Sequence, residues 1–159
     1  MPKIKLDELD VQLLECIQIN GRISNAELAD KVGLSPSPCL RRVKALEDSG
    51  VIQRYVGIID PTKLGMWTNV FLTVRLKTQG RSALEQFESI VSGYEEVMEC
   101  FLMTGSSDYL IRVLVADMES YEKFLFDKIT TIPCVGNIES SFSLKQVIYR
   151  TEMPVVATK

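Results

Sequence analysis

Two helix starts only eleven residues apart, Ser24 and Ser35, constrain this chain more than any other feature. At the first, Ser24-Asn25-Ala26-Glu27 has capping-box spacing, in which serine and glutamate satisfy backbone amides reciprocally. Ile23 and Leu28 stand at staple spacing around it, and Gly33 supplies the left-handed turn that ends the helix. A helix of about eight residues is not stable alone, so this one must pack on neighbours. At the second start, Ser35-Pro36-Ser37-Pro38, both prolines fall in a first turn whose amides lack an intrahelical acceptor, where they cost little. Cys39, Val43 and Leu46 then form a buried stripe with Leu40 at its edge, and Gly50 is the stop. At about 100° per residue, the opposite face carries Ser37, Pro38, Arg41, Ala45 and Asp48, flanked by Arg42 and Lys44.

An earlier helix starts at Asp7, with Leu6 and Val11 at staple spacing and Leu9, Leu13, Leu14 and Ile17 as its apolar side. It ends at Asn20-Gly21. After Gly50, Val51 to Arg54 and Val56 to Ile59 predict two short strands, a wing carrying Arg54. Three such helices and a hairpin form a pattern that presents one helix to a DNA groove. Arg41 can read guanine edges, while Ser35, Ser37 and the free amides of that helix can hold phosphate. The residues alone also allow a plain three-helix packing module with a solvated basic face.

Charge bears on that choice. The net charge of −3 opposes nucleic-acid binding at first sight. From Lys31 to Arg54, however, Lys31, Arg41, Arg42, Lys44 and Arg54 stand against only Glu47 and Asp48. The basic footprint is local and modest for one chain. Histidine is absent, which removes every His-dependent catalytic arrangement and the commonest transition-metal ligand. Cys16, Cys39, Cys100 and Cys134 are too far apart for a metal or redox motif and read as reduced, packed thiols. With no phosphate-cradling glycine loop or paired carboxylates either, the chain is expected to be neither an enzyme nor a cofactor protein. No apolar run approaches the roughly 18 residues of a membrane span. The start, Met1 to Asp7 with Lys3 and Lys5, has no apolar signal core, so a cytoplasmic location is expected.

Asp60-Pro61-Thr62-Lys63-Leu64-Gly65 breaks both helix and strand. It separates an expected first domain, residues 1–60 with its helix-turn-helix at about 25–44, from a linker at 61–66, a second domain at 67–150 and a tail at 151–159. The second domain reads strand, helix, strand, strand, helix, strand: a ferredoxin-like βαββαβ arrangement in an α+β chain. Val70, Leu72, Val74 and Leu76 share one face of the first strand. The other face of the sheet is expected to keep apolar residues, with Phe71, Ile111 and Val113 assigned to it, and hence to pair with a second copy. In the turn Thr104-Gly105-Ser106-Ser107-Asp108, Gly105 can free amides for a carboxylate and Asp108 can take an ammonium group, as a free amino acid requires. A polar hairpin turn uses the same residues for geometry alone.

Several runs together resemble the leucine-responsive/AsnC (Lrp/AsnC) transcription regulators across nearly the whole chain. They are Asn20 to Ser24, Glu27-Leu28-Ala29, Val32 to Cys39, Arg42-Val43, Leu46 to Ile52, Gly105 to Tyr109 and Ser141-Phe142. The resemblance implies a winged helix-turn-helix with DNA contacts from Ser24, Asn25, Ser35, Ser37, Pro38, Arg41, Arg42, Lys44 and Arg54. It further implies an effector domain that forms dimers, then tetramers or octamers, and binds an amino acid between neighbouring dimers. Thr104, Gly105, Ser106, Ser107, Asp108, Tyr109 and Ser140 are the candidate effector residues. The near absence of a basic N-terminal tail, only Lys3 and Lys5, departs from longer family members. A stand-alone amino-acid-binding or metabolic protein with an incidental helical module is the alternative.

Overall fold

A computed structural model of the chain describes residues 5–157; of the two basic residues noted before the first helix, Lys3 lies outside the described residues. The chain divides into two compact units. One holds the residues up to Ile58 together with the segment from Ile148 onward, and the other runs from Ile59 to Val147.

In the first unit, α1 (Glu8–Ile19), α2 (Asn25–Lys31) and α3 (Pro36–Asp48) enclose Leu13, Leu14, Ile17, Leu28, Ala29, Val32, Cys39 and Leu46. Each of the first two helices starts with a reciprocal cap, Asp7 with Asp10 and Ser24 with Glu27. Gly33 and Gly50 adopt positive φ at the expected stops. The expected wing strands do not form: Val51 and Ile52 lie in a bend, and Gln53 to Ile59 carries no strand ladder. Only Tyr55 separates the two expected strands, whereas a hairpin needs at least a two-residue turn. Val51 and Ile52 instead pack on the helical core, and the Tyr55 hydroxyl donates to Glu47 Oε1 at 2.8 Å. Partial burial, and then Glu47, push the Tyr55 hydroxyl up to about 12.

Arg42 ties α3 to the start of α1, with Nη1 2.7 Å from Asp7 Oδ2 and 2.8 Å from Asp10 Oδ1. The Asp10 amide first, and then Arg42, hold the Asp7 carboxyl below its ordinary 3.8. A depressed acid stabilises the fold above its unfolded value and loses that contribution as pH falls through the folded one. Asp7→Asn, which keeps a capping oxygen, should therefore melt below the unchanged chain at about pH 6, and the gap should close towards about pH 3. A gap constant across melts over that range would refute the charge assignment.

The second unit opens with a short 3-10 turn, Pro61–Leu64, within the expected linker. Then come β1 (Thr68–Leu76), α4 (Arg81–Val91), β2 (Val97–Leu102), β3 (Tyr109–Val115), α5 (Met118–Lys123, continued as a π-helical turn Phe124–Ile129) and β4 (Val135–Phe142). The antiparallel sheet has the order β2-β3-β1-β4, as the βαββαβ pattern requires. Gly136 lies opposite the irregularity at Arg75/Leu76, where a Cβ would stand 3.2 Å from Arg75 O and Lys77 N, so only glycine fits without movement.

Alternate residues of β1 (Val70, Leu72, Val74, Leu76) and β3 (Tyr109, Ile111, Val113, Val115) fill the core with Phe87 and Val91 of α4 and Tyr121 and Phe124. Ile111 and Val113 thus belong to the core face, contrary to expectation. The open face carries Phe71 and Thr73 of β1, Leu110, Arg112 and Leu114 of β3, and Phe101 of β2, with Arg112 paired to Glu99 at 2.8 Å. Phe101 is 51% exposed. Cys100, expected to be packed, is exposed on the edge strand β2.

Candidate DNA interface and effector turn

The two candidate sites lie in different units. In the first, α2 and α3 are joined by Asn25, whose Nδ2 donates to Pro36 O at 2.9 Å. Ser24 donates through its hydroxyl (2.7 Å) and its amide (3.0 Å) to Glu27 Oε2, which holds that carboxyl below its usual value. Ser24, Asn25 and Arg42 are therefore committed to contacts inside the unit. Ser35, Ser37, Arg41, Lys44 and Arg54 are exposed, and Pro38 is half-buried.

The start of α3 offers few amides. Pro36 and Pro38 have none, and the Cys39 amide donates to Ser35 O at 3.2 Å, which leaves only that of Ser37 in the first turn. Ser35 makes no side-chain cap bond, so its hydroxyl is available beside that of Ser37. Phosphate anchoring at this end would come from hydroxyls more than from the backbone. Charge is unevenly shared: the first unit has ten basic and nine acidic residues, the second eight and twelve. The acid excess of the chain thus resides in the unit without the helix-turn-helix.

The effector turn joins β2 to β3. Gly105 has φ 122°, a left-handed value suited to glycine. The amides of Thr104, Gly105, Ser106 and Ser107 have no backbone partner among the described residues, while Met103 and Asp108 close the hairpin at 2.8 Å. Thr104, Gly105 and Ser106 are exposed and Ser107 is half-buried. Four consecutive unpaired amides around a left-handed glycine are able to hold a carboxylate.

Asp108 does something else than expected. It is 8% exposed, and its Oδ2 accepts from the Leu76 amide at 2.7 Å while Oδ1 accepts from Gln79 Nε2 at 2.8 Å. Its own amide donates to Val74 O at 2.9 Å. The carboxylate replaces a strand partner where β1 passes the end of β3, rather than standing open to an ammonium group. Tyr109 points away from the turn into the core. It is 1% exposed, its ring centroid lies 4.5 Å from that of Phe87, and its hydroxyl donates to Glu88 Oε1 at 2.8 Å. Burial first, and then Glu88, push that hydroxyl well above its usual range.

Ser140 lies on edge strand β4 and its hydroxyl shares a hydrogen bond with that of Tyr121. β1 separates β4 from β3, so Ser140 and the turn do not stand on neighbouring strands, and no hydrogen bond joins them among the described residues. Sequence reasoning missed Gln79 and Glu88, which no local spacing marks. It also missed a concavity of about 270 Å³ against β2, lined by Glu88, Val91, Ser92, Val97, Cys100, Leu102 and Tyr109.

Comparisons with known proteins find two domain models in succession along the chain. Residues 6–53 match the winged helix-turn-helix DNA-binding family model, and residues 69–153 match that of the Lrp/AsnC ligand binding domain. The Bkd operon transcriptional regulator of Pseudomonas aeruginosa is 41% identical over 151 residues, covering 95% of this chain and 99% of its own length. The leucine-responsive regulatory protein of Escherichia coli is 38% identical, covering 92% of this chain and 89% of its own length. Among solved structures, a transcriptional regulator from Neisseria meningitidis in complex with L-Met superposes with a TM-score of 0.90 at 37% identity, over 94% of this chain and 96% of that one. With both domain models matched in order along its length, the chain belongs to the Lrp/AsnC family of transcriptional regulators.

Proposed function

We propose that this regulator binds DNA with paired α3 helices and responds to a free amino acid whose carboxylate sits on the Thr104–Ser107 amides. The observation that carries the effector site is that run of unpaired amides around Gly105. The L-Met bound by the Neisseria meningitidis relative supports the ligand class. Ser140 and the turn stand on strands separated by β1, and a site shared between chains would join them. Covering Phe71, Phe101, Leu110 and Leu114 in a homodimer, followed by tetramer or octamer assembly, supplies it. The ligand then favours whichever assembly completes its site, and its effect is limited to its differential affinity for the two.

On DNA, Arg41 reads bases and Lys44, Arg54, Ser35 and Ser37 hold phosphate, with Pro38 beside them; Ser24, Asn25 and Arg42 position the helices. The reading includes no catalytic step and no cofactor, in keeping with relatives that are transcriptional regulators. Among the described residues no helix is long and apolar enough to cross a membrane, and bacterial relatives support a location in the cytoplasm.

A thermal-shift screen of the twenty amino acids tests the effector. A true ligand at a hundred times its Kd stabilises by about 2.7 kcal/mol, and a flat screen would defeat the effector reading. Arg41→Ala should weaken binding to a specific upstream site by about 1–3 kcal/mol and leave non-specific binding less affected. Gel shifts at several salt concentrations measure both, and an unchanged specific-to-nonspecific ratio removes Arg41 from base reading.

A further inference from the structure

We propose that residues 151–156 form a strap that completes the DNA-binding unit, and that Gln18 of α1 is the positioning residue that holds it. The family model assigns the chain up to Met153 to the ligand-binding domain. The structure divides it otherwise, because the segment from Ile148 onward is compact with the helix-turn-helix and not with the sheet.

The attachment is specific. Gln18 Nε2 donates to Met153 O at 3.0 Å, and the Met153 amide donates to Gln18 Oε1 at 2.8 Å. One side-chain amide thus satisfies both backbone groups of Met153, as a neighbouring strand would. Two residues on, Val155 packs against the helical core, whose rim there includes Leu6, Cys16, Ile23, Val51 and Ile52. A groove of about 620 Å³ is lined by the strap and by the segment after α3, with Leu14, Ile17, Tyr55 and Pro154 among its lining. Without the strap that apolar rim would face water.

The arrangement gives the DNA-binding unit two covalent junctions with the effector unit, at Ile58–Ile59 and at Val147–Ile148. One leads to the end of α3 and the other, through the Gln18 clasp, to α1. A displacement in the effector unit therefore reaches both helices rather than one. Asn at position 18 is too short to span the clasp, and Glu accepts from the Met153 amide but cannot donate to its carbonyl.

Amide hydrogen exchange on the full-length chain, its Gln18→Ala variant and a chain stopped after Arg150 tests this. Gln18→Ala should raise Met153 amide exchange by about tenfold or more, and Gln18→Glu should raise it less, since its oxygen still accepts that amide. The shortened chain should speed exchange at Leu13 and Leu14 of α1 by a similar factor, while Leu72 of β1 stays protected as an internal check on folding. Unaltered Met153 exchange in Gln18→Ala would overturn the clasp. Unaltered Leu13 and Leu14 exchange in the shortened chain, with Leu72 protected, would overturn the strap as part of the unit.

Discussion

Phe87→Ala is expected to destabilise the effector unit by about 3–5 kcal/mol. The ring is fully buried beneath α4, stacks on Tyr109 and belongs to the main core of that unit. Its removal leaves a cavity walled by β1 and β3, strands that cannot move inward without breaking their ladders. It also removes the ring against which Tyr109 is held while its hydroxyl donates to Glu88. Urea unfolding should show a lower midpoint with an unchanged slope, and Phe87→Leu should lose less than half as much. A loss under about 1.5 kcal/mol for alanine would mean that the site collapses, and that the core is softer than its burial indicates.

The second large effect is expected at Asp108, where sequence expectation and structure part. An ammonium-binding aspartate would lose ligand response on truncation and little stability. A carboxylate that accepts from the Leu76 amide and from Gln79 behaves differently. Asp108→Ala leaves a buried amide without an acceptor, at a cost of about 3 kcal/mol and a fall in Tm of roughly 15 °C for a domain of this size. Asp108→Asn should cost only about 1 kcal/mol, because its oxygen accepts from Leu76 and its amide donates to Gln79 after that side chain turns over. Equal losses in the two variants, measured by thermal melts, would exclude this role. Any missing effector response in Asp108→Ala has to be judged against the loss of fold.

What was legible in the sequence was what short spacings encode. The Ser24–Glu27 cap, the Gly33 and Gly50 stops and the tolerated prolines of α3 each depend on neighbours within four residues, and each stands where expected. The order of the second domain followed from changes of period along the chain. Errors came where the deciding partner is distant or the pattern is uniform. In β3, Tyr-Leu-Ile-Arg-Val-Leu-Val is apolar at nearly every position, so alternation is faint; Arg112 alone marks the open face, and Leu110 and Leu114 share its parity. The β-branched residues from Val51 to Ile59 suggest a wing, but the single residue between the two runs is too short a turn for one. Asp108 has its partners 32 and 29 residues away, and Gln18 has its partner 135 away, separations that no local pattern signals.

The discontinuous first unit has a consequence for how the protein is made. Translation delivers α1, α2 and α3 first, yet the segment from Ile148 that packs with them emerges only after the whole effector unit. At about 5–20 residues per second, that interval is of the order of 5–20 s. Through it the three helices are present without their strap, while the sheet that separates the two pieces is free to fold. A nascent chain therefore emerges with its reading head unfinished, and the head closes only once the sensing half is already outside the ribosome.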